Sequence, residues 1–166
     1  MRMTRFITTF AYVGLLRPAP GTWGSAVAVV LAIGIDYLLG FWVLAAATLA
    51  ITLLGFWACA QALRGRPGED PAEIVIDEVA GQWLALLFPA AAFWWMGLHD
   101  WAWRAYPGWV AAFLFFRLFD IWKPWVIGRA DRRQDPAGVM LDDLWAGAFA
   151  GVATVIAAGV SHGLLL

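Results

Sequence analysis

The strongest constraint on the fold of this chain is an apolar run over residues 23–63, which contains no Lys, Arg, Glu or His. Asp36 is the single acidic residue in this run. Because about 20 apolar residues span the hydrocarbon core of a bilayer, the run is long enough for two passages. Gly40 is expected at the bend between them. The chain is therefore predicted to be a membrane protein whose first two spans are consecutive.

Composition supports the same class, because 63% of the residues are hydrophobic, only 14% are charged and twelve are Trp. Further apolar stretches cover residues 79–98, 108–127 and 139–159, and an amphipathic segment at residues 2–12 precedes the first span. We expect an all-α fold: a compact multihelical membrane bundle of about five membrane-embedded helices plus a short N-terminal amphipathic helix. Residues 1–166 are expected to form a single domain. The net charge of −1 gives no case for nucleic-acid binding.

The positions of basic residues predict the orientation, because Lys and Arg concentrate in cytoplasmic loops. They precede the first span, follow the second and follow the fourth: Arg2, Arg5, Arg17, Arg64, Arg66, Lys123, Arg129, Arg132 and Arg133. Only Arg104 lies on the other side, where aromatic residues suggest an interfacial belt around His99 and Asp100: Trp94, Trp95, Trp101, Trp103 and Trp109. The N-terminus and the acid-bearing segments are therefore expected on the cytoplasmic side.

Two pairs of adjacent acids lie inside apolar segments: Asp77 with Glu78, and Asp142 with Asp143. Carboxylates in such surroundings are costly unless a cation neutralises them. Oxygen ligands suit Mg²⁺ or Mn²⁺ better than Zn²⁺. We expect the two pairs to face one another around a divalent cation, on helices that approach closely at small residues: Gly81, Gly147 and Gly151. The alternative is four acids that reach water or pair with Arg.

Arg117, Asp120 and Lys123 recur every three residues, which predicts that they share one side of a helix ending at Pro124. Arg117 and Asp120 form a natural ion pair, which can be purely structural. Beside a metal site, however, basic groups have a use in binding phosphate oxygens. The following polar loop, with Arg129 and Asp131, could serve a substrate headgroup or anionic lipid alike.

The segment over residues 18–25 ends one helix and begins another, and it places Thr22 or Ser25 where a helix N-cap is expected. Free backbone N–H groups at such a terminus can bind phosphate. An ordinary capped turn is the alternative for this segment.

Several chemistries are disfavoured. Cys59 is the only cysteine and is expected to be buried in a span, while His99 and His162 are expected far from the acids. Walker A, Gly-x-Ser-x-Gly and Asp-x-Asp-x-Thr motifs are absent from the sequence. Metal-assisted attack of water on phosphorus remains.

Four segments resemble the phosphatidylglycerophosphatase A family and follow one another in the same order as in that family: residues 14–25 (GLLRPAPGTWGS), 76–81 (IDEVAG), 116–124 (FRLFDIWKP) and 138–143 (GVMLDD). The resemblance implies a small helical bundle of the bacterial inner membrane, with its active site on the cytoplasmic side. It also implies hydrolysis of phosphatidylglycerophosphate to phosphatidylglycerol and inorganic phosphate, in phospholipid biosynthesis, with Mg²⁺ required. Val126 and the segment at 135–138 depart from the family pattern, and both belong to the region that surrounds the loop at residues 129–138.

On this hypothesis, the two acid pairs hold one or two Mg²⁺ ions that activate water. The predicted catalytic residues are Asp77, Glu78, Asp120, Lys123, Asp142 and Asp143, and the predicted metal ligands are Asp77, Glu78, Asp142 and Asp143, with Asp120 or Asp131 as further candidates. The predicted substrate-binding residues are Thr22, Ser25, Arg117, Arg129 and Asp131. The acyl chains and the surrounding membrane lipids would contact the apolar outer faces. A membrane alcohol phosphotransferase of lipid synthesis, a small ion-coupled carrier and a scaffold protein remain as alternatives.

Overall fold

The computed structural model describes residues 2–66, 68–98, 106–133 and 135–164, without the side chains of residues 162–164. Seven α-helices and one 3₁₀ turn, Val13–Leu15, account for most of this part, which contains no strand. The α-helices are α1 (Arg2–Thr8), α2 (Pro20–Leu39), α3 (Phe41–Ala62), α4 (Ile76–Trp95), α5 (Tyr106–Trp122), α6 (Trp125–Asp131) and α7 (Pro136–Leu164). The all-α prediction is confirmed, whereas the single-domain organisation stays a prediction.

Within the described ranges, three helices are long and apolar enough to cross a membrane: α2, α3 and the Pro136–Ser161 part of α7. Gly40 joins the first two at a φ of +85°, a conformation that glycine adopts without steric cost. Of the other two expected spans, α5 has only 17 residues, and α4 opens with two acids and contains Pro89. Large apolar side chains cover the outer surface, including Leu38 and Leu53. These features indicate association with a membrane.

Helix α4 lies at the centre of the bundle and packs against α2, α3, α5 and α7. Its buried residues include Val79, Leu86 and Ala90, and Trp83 donates a hydrogen bond of 2.8 Å from Nε1 to the carbonyl oxygen of Ala28 in α2. A central helix whose residues are buried towards several neighbours can bring its first turn close to several other helix ends. This arrangement determines where the acids of α4 are presented.

The closest approach of α4 to α7 occurs at two glycines. A Cβ atom on Gly147 would collide with the backbone of Gly81, and one on Gly81 would collide with the backbone of Asp143. Gly151, one turn further along α7, faces the ring of Phe88. The predicted close contact at small residues is confirmed, and it brings the two acid pairs to the same end of the bundle.

The predicted N-cap of α2 is wrong. The helix begins at Pro20, and the cap residue is Ala19 at a φ of +57° without a side-chain capping bond. Thr22 and Ser25 therefore lie inside the helix, where the Ser25 hydroxyl donates to the carbonyl oxygen of Gly21 at 2.8 Å. Proline fits the first helical position because the N–H it lacks would have no intrahelical partner there. The sequence pattern placed the helix start a few residues too late.

The opposite end of the bundle is described in part. Trp94 and Trp95 are exposed, as an interfacial belt requires, but Trp109 is only 3% exposed and packs in the core. Its assignment to the belt is wrong, because its helix places it towards Ala28 and Val79 rather than towards the outer surface. The remaining residues predicted for this side lie outside the described residues: His99, Asp100, Trp101, Trp103 and Arg104. The side chain of His162 also lies outside them.

We predict that Gly147→Ala destabilises the protein by about 1–3 kcal/mol, because the added methyl group overpacks the contact between α4 and α7. Gly159→Ala is the matched control in the same helix, since a Cβ atom there meets nothing within 4 Å. It should be neutral or stabilising by up to about 1 kcal/mol, as helix propensity favours alanine. Unfolding of both variants in detergent micelles measures the difference. Equal stability of the two variants would contradict the close contact.

Candidate active site

Three buried or partly buried carboxylates form the centre of the candidate site. Asp77 and Glu78 lie in the first turn of α4, and Asp143 lies near the start of α7. One carboxylate oxygen from each lies within 4.8 Å of the others. Asp77 and Asp143 are only 7% and 4% exposed. We call these three residues the acid cluster; its oxygens are close enough to hold one metal ion.

The location of two cluster members at a helix start has a physical reason. The first turn of a helix has unpaired backbone N–H groups and the positive end of the helix dipole, so acids are favoured there. The backbone N–H of Glu78 donates to Asp77 Oδ1 at 3.0 Å. Glu78 Oε2, by contrast, is buried and has no hydrogen-bond partner in the described part of the chain. An unpaired buried carboxylate oxygen fits a cation as its missing partner.

The second acid pair repeats the same local contact, because the backbone N–H of Asp143 donates to Asp142 Oδ1 at 3.0 Å. The two members then diverge: Asp143 belongs to the acid cluster, whereas Asp142 accepts a hydrogen bond of 2.7 Å from Lys123 Nζ. The structure therefore places Asp142 beside the cluster, and its role as a metal ligand stays a prediction. Two similar sequence pairs have different electrostatic partners.

Lys123 reaches Asp142 because it does not continue α5. The helix ends at Trp122, and Lys123 has a φ of +50°, which is rare for a residue other than glycine. Its ammonium group donates to Asp131 and Asp142, so it lies between two carboxylates. The prediction that Lys123 shares a helix face with Arg117 is wrong, since the chain turns at this residue. Backbone conformations of this kind are often found at functional sites.

The environment of Lys123 keeps it charged. Burial alone would lower the pKa of its ammonium group, but the hydrogen bonds to Asp131 and Asp142 raise that pKa above its ordinary value. Asp142 is buried, whereas Asp131 is part-exposed. The site therefore contains a lysine ammonium group next to the acid cluster.

Arg117 and Asp120 provide a second charged pair, as the sequence predicted. Their side chains approach to 2.5 Å and are 16% and 13% exposed. Asp120 also lies beside Asp143, so the pair adjoins the acid cluster. On the other side, Arg117 lies 3.5 Å from the hydroxyl oxygen of buried Ser25. The arginine thereby connects α5 to α2.

The first turn of α2 also adjoins the cluster, at Gly21. A Cβ atom on Gly21 would collide with the carboxylate of Glu78 and come within 3.3 Å of the Arg117 guanidinium. Thr22, however, is exposed. Arg129 is exposed on α6. The substrate-binding roles predicted for these two residues stay predictions.

One acid near the site was missed by the sequence analysis. Asp70, in the loop between α3 and α4, lines a cavity of about 60 Å³ together with Asp131 and Asp142. Burial raises the pKa of Asp70, and the charge of Lys123 opposes that change. The only sequence indication was its position seven residues before Asp77. In a polar loop such an acid looks like an ordinary surface residue.

These contacts define a class of protein: a helical membrane protein with buried carboxylates next to Lys and Arg at one end, a combination suited to phosphate chemistry. The chain belongs to the phosphatidylglycerophosphatase A family, whose model matches residues 6–158. It is therefore a phosphatase, a hydrolase, in agreement with the expectation from the four sequence segments.

Three curated relatives support this assignment. Phosphatidylglycerophosphatase A of Escherichia coli is 34% identical over 153 residues, covering 90% of this chain and 76% of that protein. Phosphatidylglycerophosphatase A of Haemophilus influenzae is 33% identical, covering 82% and 77%. A Bacteroides thetaiotaomicron protein named "Putative phosphatidylinositol-3-phosphatase" is 35% identical, covering 84% and 83%. No solved structure matches the chain.

We predict that Lys123→Met destabilises the protein by about 1–3 kcal/mol, because it leaves the buried carboxylate of Asp142 without its cation. Adding Asp142→Asn should recover most of the loss, giving a positive coupling in a double-mutant cycle measured by unfolding in detergent. Arg66→Met is the control, since its pair with Glu69 is about half exposed, and it should cost less than about 1 kcal/mol. Additive effects of the two substitutions would contradict the contact.

Proposed function

We propose that this protein hydrolyses phosphatidylglycerophosphate to phosphatidylglycerol and inorganic phosphate, as a step of phospholipid biosynthesis. The observation that carries the proposal is the acid cluster with the Lys123 ammonium beside it, in a chain of this family. Two relatives carry the corresponding enzyme name. A phosphomonoester on a lipid headgroup matches both features: it needs cations for its oxygens and an apolar surface for its acyl chains.

The proposed cofactor is Mg²⁺, held by Asp77, Glu78 and Asp143. The donor set fits this ion, because it consists of carboxylate oxygens without Cys or His, and because Glu78 Oε2 lacks a partner. When bound, such an ion polarises a phosphoryl oxygen and lowers the pKa of a coordinated water. Three carboxylates this close repel one another, so a divalent cation would also relieve their electrostatic cost.

The residues around the cluster would bind and orient the phosphate. Lys123 remains an ammonium because its pKa is raised, so it acts through charge rather than as a proton donor. On substrate binding, the Lys123 ammonium would release one of its two carboxylate partners and donate to a phosphate oxygen instead. The other carboxylate would keep the ammonium in position. Arg117, oriented by Asp120, would bind a second oxygen from the side of α2.

The proposed location is the bacterial inner membrane, with the site on the cytoplasmic side. Lys and Arg residues are concentrated at the end of the bundle that carries the acid cluster. Acidic residues are concentrated there too. By sequence position, the exceptions are Asp36, near the end of α2, and Asp100, in the segment that follows α4. An ion-coupled carrier would instead need acids along the membrane depth. This distribution favours the enzyme over the carrier.

We predict metal-dependent phosphate release from phosphatidylglycerophosphate by the purified protein in detergent, abolished by a chelator and restored by Mg²⁺. Asp143→Asn removes a cluster oxygen's charge and should reduce the rate by about 100-fold or more. Glu69→Gln is the control, because Glu69 is an exposed acid outside the cluster. Phosphatidylinositol 3-phosphate, named for the Bacteroides relative, is the comparison substrate.

The outcomes separate the alternatives. Release from phosphatidylglycerophosphate that is unaffected by Asp143→Asn would contradict the role of the cluster. Faster release from phosphatidylinositol 3-phosphate would contradict the proposed substrate while leaving the phosphatase assignment intact.

A further inference from the structure

Gln82 is a buried polar residue that the proposed mechanism does not use. It lies in α4, is fully buried, and neither atom of its carboxamide has a hydrogen-bond partner in the described part of the chain. An unpaired buried amide is costly in apolar surroundings, because it has lost its hydrogen bonds to water. A position in the centre of a membrane protein makes an apolar residue the cheaper choice. The presence of glutamine therefore calls for a partner that the protein side chains do not supply.

The location of Gln82 follows from the helix geometry. It is four residues after Glu78, so the two side chains lie on the same side of α4, one turn apart. Glu78 adjoins Gly21 of α2, and Trp83 bonds to Ala28 further along α2, so the two helices run in the same direction. Gln82 consequently lies at the depth of Ser25, which is four residues after Gly21.

Arg117 approaches this region from α5. Its guanidinium group lies near Gly21 and 3.5 Å from the Ser25 hydroxyl oxygen, and its Nε atom is buried without a hydrogen-bond partner in the described residues. Glu78 Oε2 is likewise buried and without a hydrogen-bond partner among the described residues. Helix spacing therefore puts the carboxamide of Gln82 one turn from two unpaired groups of complementary kinds, an acceptor on Glu78 and a donor on Arg117.

We propose that Gln82 is a positioning residue that holds a buried water molecule against Glu78 and Arg117, and thereby fixes the Glu78 carboxylate towards Asp77 and Asp143. A buried water typically makes about three hydrogen bonds, which matches these three groups. Hydrogen-bond partners of a metal ligand fix its orientation and tune its affinity. The inference rests on the proposed function in one respect, that the acid cluster binds a divalent cation.

The test measures metal binding directly, without turnover. Mn²⁺ is titrated into the purified full-length protein in detergent micelles, and free Mn²⁺ is followed by electron paramagnetic resonance. Gln82→Met and Gln82→Leu remove the amide at similar volume, and either one suffices if the other does not fold. Thr154→Val is the matched control, since Thr154 is a buried hydroxyl of α7 that bonds only locally to Ala150. Asp143→Asn identifies binding at the cluster.

We expect both Gln82 variants to raise the Mn²⁺ dissociation constant by about 10–100-fold, with Thr154→Val unchanged. Their melting temperature without metal should stay close to that of the wild type, because hydrogen bonds of a buried amide to water add little net stability and the apolar side chains fill a similar volume. Wild-type affinity in the Gln82 variants, or a weakened affinity that accompanies a lower metal-free melting temperature, overturns the positioning role and leaves the proposed function standing. Absence of saturable, Asp143-dependent binding in the wild type overturns the proposed metal site and this inference together.

Discussion

The contact between Gly81 of α4 and Gly147 of α7 is the constraint on which the rest of the site depends. It lets the two helix backbones approach so closely that a single methyl group would not fit between them. Asp77 and Glu78 precede Gly81, and Asp143 precedes Gly147 by one turn, so the same contact brings their carboxylates within 4.8 Å. Larger residues here would separate the helices and disperse the cluster. Helix packing and chemistry therefore depend on the same two residues.

The charges at this end of the bundle are divided between two kinds of cation. Asp142 and Asp131 are neutralised by Lys123, a cation built into the chain. Among the described residues no lysine forms an ion pair with the acid cluster, and Arg117, which lies beside it, is paired with Asp120. In a low-dielectric interior, the negative charge of each group of carboxylates has to be balanced by a nearby positive charge. We infer that a divalent cation would supply this positive charge to the acid cluster, and that Lys123 would be available to a substrate phosphate beside it.

Much of the fold could be predicted from the sequence, because long apolar runs interrupted by paired acids and glycines are compatible with few folds other than a helical membrane bundle. The all-α class, the bend at Gly40 and the close glycines followed from local patterns. The separation of Asp142 from the cluster could not be predicted, since it depends on the positive φ of Lys123, a feature without a sequence rule for lysine. Gln82 was missed because a single uncharged amide in an apolar helix resembles its neighbours, and only its unpaired atoms distinguish it.

The central claim is that one divalent cation binds between α4 and α7 at the acid cluster. The most direct measurement is an experimental structure of the protein with Mn²⁺, using anomalous scattering to locate the ion. The account predicts an anomalous peak bounded by the carboxylates of Asp77, Glu78 and Asp143, with Lys123 still between Asp131 and Asp142. A peak elsewhere in the bundle, or none at saturating Mn²⁺ in an active preparation, would contradict it.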